Sequence, residues 1–123
     1  MTPGINRIKT WILIAALGGL FVLIKGSPSE QAQQAVGVFL ASLAAGDTQT
    51  AHELLCEAER ARIPEAGVAP EYGVRGKGQV TGSQEVVSHG RQVQQVDVRY
   101  SDGTTSVLVV VLEDGPRICG TAH

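Results

Sequence analysis

The fold is decided by residues 92–112, which read QVQQVDVRYSDGTTSVLVVVL. Polar and apolar residues alternate through 92–100, and this period of two is typical of a β-strand with one buried face. The predicted inward face carries Val96, Val98 and Tyr100, and the outward face carries Gln95, Asp97 and Arg99. Asp102-Gly103 follows directly, and this dipeptide strongly indicates a tight hairpin turn. The sequence therefore predicts a hairpin whose second strand covers 104–112.

The second strand of this hairpin is apolar on both faces, because residues 107–112 read VLVVVL. Such a run indicates a central strand, or a strand whose second face lines a pocket or an interface. A candidate surface for a protein partner or for a second copy of the chain is therefore formed by Val107, Val109 and Val111.

Two more strands flank the hairpin. Residues 79–88 are predicted as a strand in which Gly82 marks a β-bulge, and residues 117–120 form a short last strand that carries Cys119. Turn-forming residues at 88–91 and 113–116 separate these strands from the hairpin. The sequence thus predicts an antiparallel meander of about four strands.

Two helices precede the sheet. Ser27 can cap the first helix, Pro28 suits its first position, and Glu30 completes a capping box. Gly46 suits the left-handed residue that ends the helix. The apolar residues that recur at helical spacing in between are Ala32, Ala35, Val36, Phe39, Leu40 and Leu43.

Asp47 can cap a second helix, which is predicted from 48 to about 62. Two antiparallel helices joined by a short turn present one wide apolar side, and a sheet can cover it. We therefore expect an α+β domain in which a helical hairpin packs on one face of a curved antiparallel sheet of about four strands.

Residues 64–78 are rich in proline and glycine and show no period, so they are predicted as a long loop. Long loops in small domains are often functional, although a plain connector is the alternative. The side chains of this loop that suit contacts with a ligand or partner are Tyr72, Arg75 and Lys77.

The N-terminal part contains fifteen uncharged residues over 10–24, which read TWILIAALGGLFVLI. Arg7 and Lys9 precede this stretch and only Lys25 follows it, so the positive-inside rule places the N-terminus in the cytoplasm. We expect a cytoplasmic N-terminus over 1–9, a single membrane helix over 10–27 in the plasma membrane, and an extracytoplasmic domain over 28–123. A cleaved signal peptide and a buried core helix are the alternatives.

Composition limits the number of domains, the class of partner and the make-up of the core. A chain of 123 residues holds one small domain. Ten Lys and Arg against twelve Asp and Glu give a net charge of −2, so there is no basic excess for binding a nucleic acid. The aromatic residues beyond position 25 are Phe39, Tyr72 and Tyr100, so the core must be built mainly from Val, Leu, Ala and Ile.

Cys56 and Cys119 are the two cysteines of the chain. In an oxidising compartment, two cysteines of a small domain favour a disulfide. A catalytic thiol is the first alternative, because His52 lies one helical turn before Cys56, but the acidic residues around it oppose thiolate formation. A metal site is the second alternative, although no C-x-x-C spacing occurs.

A resemblance to a known family rests on four motifs, which are Phe39-Leu40-x-x-Leu43-Ala44-Ala45-Gly46-Asp47, Ala51-x-x-Leu54-Leu55-Cys56, Tyr100-x-Asp102-Gly103 and Ile118-Cys119-Gly120. With the N-terminal apolar stretch, the chain resembles small actinobacterial membrane-anchored proteins that carry a nuclear transport factor 2-like (cystatin-like) cone domain. The resemblance covers most of residues 29–120. It implies a bridge between Cys56 and Cys119 and an extracytoplasmic domain of unknown activity. The chain departs from fuller cone folds, which often have a third helix, because 64–78 replaces or abbreviates that helix.

Related cone folds include polyketide cyclase-like and ketosteroid isomerase-like enzymes, which need an acid or base inside the cone. The candidates here are His52, His89, Asp97 and Tyr100, and their spacing joins no two of them. We therefore expect a non-catalytic binding or assembly module of the cell envelope, without cofactor or metal, that contacts the bilayer through 10–27 and an envelope protein or a second copy through its domain.

The alternative function is a small-molecule-binding protein or a cyclase- or isomerase-like enzyme that uses the cone pocket. The residues that would line such a pocket, or else form ordinary core, are Val36, Phe39, Leu40 and Tyr100.

Overall fold

The computed structural model describes residues 26–122. The predicted cytoplasmic residues 1–9 and all but the last two residues of the predicted membrane segment 10–27 lie outside this range. Within 26–122, the helices are too short or too polar to span a bilayer.

Helices form the first half of the described chain and strands form the second. The helices are α1 (Pro28–Ala45), α2 (Thr48–Glu53), α3 (Glu57–Arg62) and α4 (Glu65–Tyr72), and the strands are β1 (Gly78–Ser88), β2 (Arg91–Tyr100), β3 (Thr105–Leu112) and β4 (Pro116–Thr121). The strands form an antiparallel sheet in chain order, β1-β2-β3-β4, and helices pack on it. The predicted α+β class and the four-stranded meander are confirmed.

Both ends of α1 match the prediction from local sequence. The Ser27 side chain accepts a hydrogen bond from the Glu30 backbone N–H at 3.2 Å, and the Glu30 carboxylate accepts one from the Ser27 backbone at 2.9 Å. Gly46 ends the helix with φ of 77°, a conformation that a residue without a side chain adopts at little cost.

The prediction of one continuous second helix over 48–62 is wrong. The helix breaks after Glu53, and residues 54–56 run parallel to β4 at the edge of the sheet. The Cys56 backbone N–H donates to the Ile118 carbonyl, and the Ile118 N–H donates to the Leu54 carbonyl, both at 2.8 Å. The Cys56 N–H thus pairs with the sheet and not with the preceding helix, and Leu54 and Leu55 are completely buried in the core.

The prediction of an unstructured loop over 64–78 is also wrong in its first half. Residues Glu65–Tyr72 form α4, even though Pro70 lies inside it. Proline and glycine disfavour helix formation in isolation, but burial of Val68 and Tyr72 against the rest of the domain favours it here. Only the part after Gly73 remains a loop.

The sheet follows the predicted alternation. Val96, Val98 and Tyr100 are buried on the helix-facing side, whereas Asp97 and Arg99 are exposed. The register between β1 and β2 shifts between Val80 and Gly82, where the bulge was expected.

A second apolar cluster lies on the sheet face opposite the helices. It contains the Cys56–Cys119 disulfide, with an S–S distance of 2.07 Å. The other members lie on the three remaining strands and are Val86, Val93, Val109 and Val111. The predicted pairing of the cysteines is therefore present, and it joins the chain between α2 and α3 to the last strand.

Two glycines provide a matched test of the packing between α1 and the sheet. A Cβ at Gly78 would lie 2.9 Å from Leu40 Cδ2 and 3.0 Å from Val98 Cγ1, whereas a Cβ at Gly37 would meet nothing within 4 Å. We expect Gly78→Ala to lower the free energy of unfolding by about 1–3 kcal/mol because it overpacks the core. Gly37→Ala, on the exposed side of α1, should raise it by about 0.5–1 kcal/mol.

Urea denaturation of both variants measures these changes. Equal effects of the two substitutions would contradict the described contact between α1 and the start of β1.

Candidate functional site

A cavity of about 290 Å³ opens where α4 ends beside the strand ends of the sheet. We call it the mouth cavity. Its walls come from the end of α4, the following loop, the β2–β3 hairpin and the end of the described chain. The lining residues are Glu71, Tyr72, Val74, Arg75, Tyr100, Thr105, Ser106, Thr121 and Ala122. The volume lies near the lower limit of small-molecule sites.

The loop that borders the cavity is fixed to the β2–β3 turn by two hydrogen bonds. The Lys77 backbone N–H donates to Ser101 Oγ at 3.1 Å, and the Ser101 N–H donates to the Lys77 carbonyl at 2.8 Å. Gly76, the residue before Lys77, has φ of +86°, and a Cβ there would clash with Ser101 Oγ. Only glycine therefore lets the loop approach the turn so closely.

Arg75 and Tyr100 form one wall of the cavity. The Arg75 guanidinium lies 5.6 Å from the centroid of the Tyr100 ring, and its Nη1 donates to the Thr105 carbonyl at 3.1 Å. The Tyr100 hydroxyl lies 2.9 Å from Ser106 Oγ. This wall offers a cation above a largely buried aromatic ring, together with hydroxyl groups that both donate and accept, which suits recognition of a small polar molecule.

Tyr72 joins the cavity to the core and to a charged network on α3. Its ring packs edge-on against Phe39, with centroids 5.2 Å apart. Its hydroxyl donates to Glu59 Oε1 at 2.7 Å. Burial, and then the hydrogen bond to Glu59, raise the pKa of the Tyr72 phenol, so it stays protonated at neutral pH.

Arg62 organises the carboxylates around Tyr72. It donates two hydrogen bonds to Glu59, at 2.8 and 3.0 Å, and also contacts Glu71. The hydrogen bond from Arg62 holds the pKa of the Glu59 carboxyl below its ordinary value, with a smaller contribution from Tyr72. The network thus keeps Glu59 ionised while it anchors the phenol.

This depressed pKa predicts the pH dependence of stability. A carboxyl whose folded pKa lies below its unfolded value stabilises the fold above the unfolded pKa, about 4.3 for glutamate, and that stability is lost as pH falls through the folded pKa. The free energy of unfolding should therefore fall as the pH drops below about 4.3, and less so in Glu59→Gln. Urea titrations across this pH range, with Glu85→Gln on exposed β1 as the matched charge control, measure the difference. An acid sensitivity of Glu59→Gln equal to that of the parent chain would contradict the role of the network.

The mouth cavity brings together three residues that the sequence singled out, Tyr72, Arg75 and Tyr100. Lys77 borders a separate surface cavity of about 190 Å³ with Leu40. Val36 and Phe39 are fully buried in the core, so they pack against side chains and do not line the mouth cavity.

The predicted partner surface on the sheet is less exposed than the sequence pattern suggests. Val111 is buried in the second cluster, while Val107 and Val109 are half-buried. Their use as an interface stays a prediction.

The acid and base candidates lie apart in the fold. His52 Nε2 lies 2.8 Å from the Ile63 carbonyl, and His89 is exposed in the β1–β2 turn beside Ser88. Asp97 is exposed on the outer face of β2, so Tyr100 alone among these candidates lines the mouth cavity. Among residues 26–122, no group of three or more His, Cys, Asp or Glu side chains is placed so that it could hold a metal ion.

Sequence reasoning missed the hydroxyl groups of the cavity. Thr105 and Ser106 follow the predicted hairpin turn, so the alternation of β3 could have placed Ser106 on the same face as Tyr100. No local sequence pattern indicates that Thr121 lines the cavity or that Glu59 binds Tyr72. Contacts between residues far apart in the sequence determine both positions.

Comparisons with protein-family models, curated proteins and solved structures found no match to this chain.

Proposed function

We propose that this chain is a membrane-tethered binding module whose folded domain lies outside the cytoplasm and carries out no catalysis. The observation that carries the proposal is the disulfide between Cys56 and Cys119, which closes a loop of 63 residues. Disulfides of this kind persist in oxidising compartments and are rare in the cytosol. The uncharged stretch 10–24, with two basic residues before it, supplies the tether.

The resemblance to membrane-anchored cone-domain proteins supports the same arrangement. The α+β architecture and the paired cysteines support the proposal. The domain would act as a docking or assembly element of the cell envelope.

Protease accessibility tests the topology. In spheroplasts that express the full chain with a C-terminal epitope, external protease should remove the epitope while a cytoplasmic marker stays intact. Protection of the epitope until detergent is added would contradict the proposal. Recovery of the chain in the aqueous fraction at its unprocessed mass would contradict the tether.

The mouth cavity favours a second candidate function, the binding of a small neutral hydroxylated molecule. The polar groups that would contact such a molecule come from Arg75, Tyr100, Thr105, Ser106 and Thr121. A hydroxyl group both donates and accepts hydrogen bonds, so the hydroxyl groups of the cavity can pair with those of such a ligand in either direction.

Nuclear magnetic resonance titration of the full chain in nanodiscs tests this candidate, with glucose as the neutral probe and lactate as the charged one. Glucose should shift the resonances of Tyr100 and Ser106 more than lactate does, and Ser106→Ala should reduce the shift. Cavity resonances that respond to neither probe would contradict a ligand-binding role.

A further inference from the structure

We propose that the end of the sheet beside the start of α1 rests on the bilayer surface, with Leu112 and Val87 in contact with lipid. The inference rests on the proposed membrane tether and adds the orientation of the domain relative to the membrane. Three observations carry it, namely the exposure of these two side chains, their position beside the start of α1, and the length of chain that joins α1 to the uncharged stretch.

Leu112 and Val87 are unusually exposed for large apolar side chains. Their exposed fractions are 60% and 71%, and among the described residues only Val74 is similarly exposed, at 70%. Val74 lines the mouth cavity. Leu112 and Val87 lie near the last residues of β3 and β1, at the ends of these strands that are farthest from the mouth cavity. Exposed apolar side chains that gather at one end of a domain indicate a contact surface.

The strand register places these two residues next to the start of α1. Val87 pairs with Gln92, and Leu112 pairs with Pro116. Gln92, Leu112 and Pro116 line a cavity of about 70 Å³ that Pro28, the first residue of α1, closes on one side. The sheet therefore extends past the start of the helix layer at this end.

A buried polar atom also lies at this cavity. Gln94 is only 8% exposed, and its side-chain Oε1 has no hydrogen-bond partner among residues 26–122. Gln94 lines the cavity together with Leu112, so water of the hydrated headgroup layer could donate to it there.

Chain length fixes how far this end can lie from the membrane. Three residues lie between Ile24, the last residue of the uncharged stretch, and Pro28, so the Cα atoms of Ile24 and Pro28 are at most about 14 Å apart. The polar headgroup layer on each side of a bilayer is about 5–7 Å thick. If the predicted membrane segment 10–27 spans the hydrocarbon, α1 begins directly after it, and the end of the sheet that carries Leu112 lies within reach of the headgroups and acyl boundary.

The charges at this end favour apolar contact over electrostatic attraction. The exposed charged groups nearby are Glu30, Glu85 and Asp114 against Arg91, so acidic groups outnumber basic ones. Polybasic surfaces bind anionic lipids in a salt-dependent way, and this surface lacks that character. Contact with neutral lipids should therefore suffice.

The orientation also places the mouth cavity away from the membrane. β3 runs from Thr105 at the mouth cavity to Leu112 at the opposite end, a distance of about 24 Å for an extended strand. The cavity would therefore open towards the envelope space.

Tryptophan fluorescence in nanodiscs of brominated phosphatidylcholine tests the contact. Trp11 is the only tryptophan of the chain, so Trp11→Phe provides a silent background for Leu112→Trp and, at the other end, for Val74→Trp. We expect brominated lipid to lower the emission of Leu112→Trp about twofold or more relative to unbrominated lipid, and to leave Val74→Trp nearly unchanged. Val87→Trp should behave like Leu112→Trp and provides a second reporter. Because both sites are exposed, the substitutions should leave the melting temperature unchanged.

The outcomes separate this inference from the proposed tether. Quenching of Trp11 in the parent chain without quenching of Leu112→Trp or Val87→Trp would overturn the orientation and keep the tether. Absence of Trp11 quenching would overturn both. If Leu112→Trp were shielded from aqueous acrylamide but not quenched by lipid, a second copy would cover this end, which also overturns the proposal. Quenching that disappears at high salt would contradict the apolar nature of the contact.

Discussion

Replacing Cys56 and Cys119 together with alanine is expected to lower the free energy of unfolding by about 4 kcal/mol. A disulfide limits the conformations of the unfolded chain, and a closed loop of 63 residues gives a loss of this size on the chain-entropy model. Small domains are stable by only about 5–15 kcal/mol, so the double variant should melt roughly 15–30 °C lower. Calorimetry of the purified chain measures the shift.

Reduction of the parent chain provides the control for this prediction. Dithiothreitol should lower the parent melting temperature to near that of the double variant and leave the double variant unchanged. A loss below about 1 kcal/mol in both experiments would show that the bridge does not hold the segment 54–56 to β4.

Phe39→Ala is expected to cost about 3–5 kcal/mol, because it removes the largest fully buried side chain of the domain. The Phe39 ring lies between α1 and the sheet and contacts Tyr72 edge-on, so its loss also frees one wall of the mouth cavity. Urea denaturation measures the loss.

Two substitutions serve as controls for Phe39→Ala. Phe39→Leu keeps most of the buried volume and should cost less, and Val87→Ala at an exposed site should change stability by less than about 0.5 kcal/mol. A cost of Phe39→Ala no larger than that of Val87→Ala would contradict the described core.

The parts of the fold that the sequence predicted correctly are those that local chemistry determines. The capping box at Ser27, the left-handed Gly46 and the Asp102-Gly103 turn each depend on residues within a few positions of one another. The alternation in β2 likewise reports burial directly, because successive strand residues face opposite sides.

The parts that the sequence missed depend on contacts between distant residues. The break after Glu53 arises because residues 54–56 hydrogen-bond to Ile118, more than sixty positions away. Helix α4 forms against the propensity of Pro70 because Val68 and Tyr72 gain burial. Neither effect leaves a pattern within the segment itself.

The candidate site was only partly predicted, because it too depends on contacts between distant residues. Tyr72, Arg75 and Tyr100 are conspicuous in a sequence with few aromatics, and the fold brings them to one cavity. Their partners Glu59 and Ser106 are common residue types in unremarkable positions. Only the packing of α3 and the hairpin identifies them.

The central claim, that the folded domain lies in an oxidising compartment with its cysteines joined, is tested most directly by trapping thiols in cells that make the full chain. Rapid acid quenching, denaturation and treatment with a polyethylene glycol maleimide should give a chain without adducts. The same treatment after reduction should give a chain with two adducts. Two adducts without prior reduction would contradict the account.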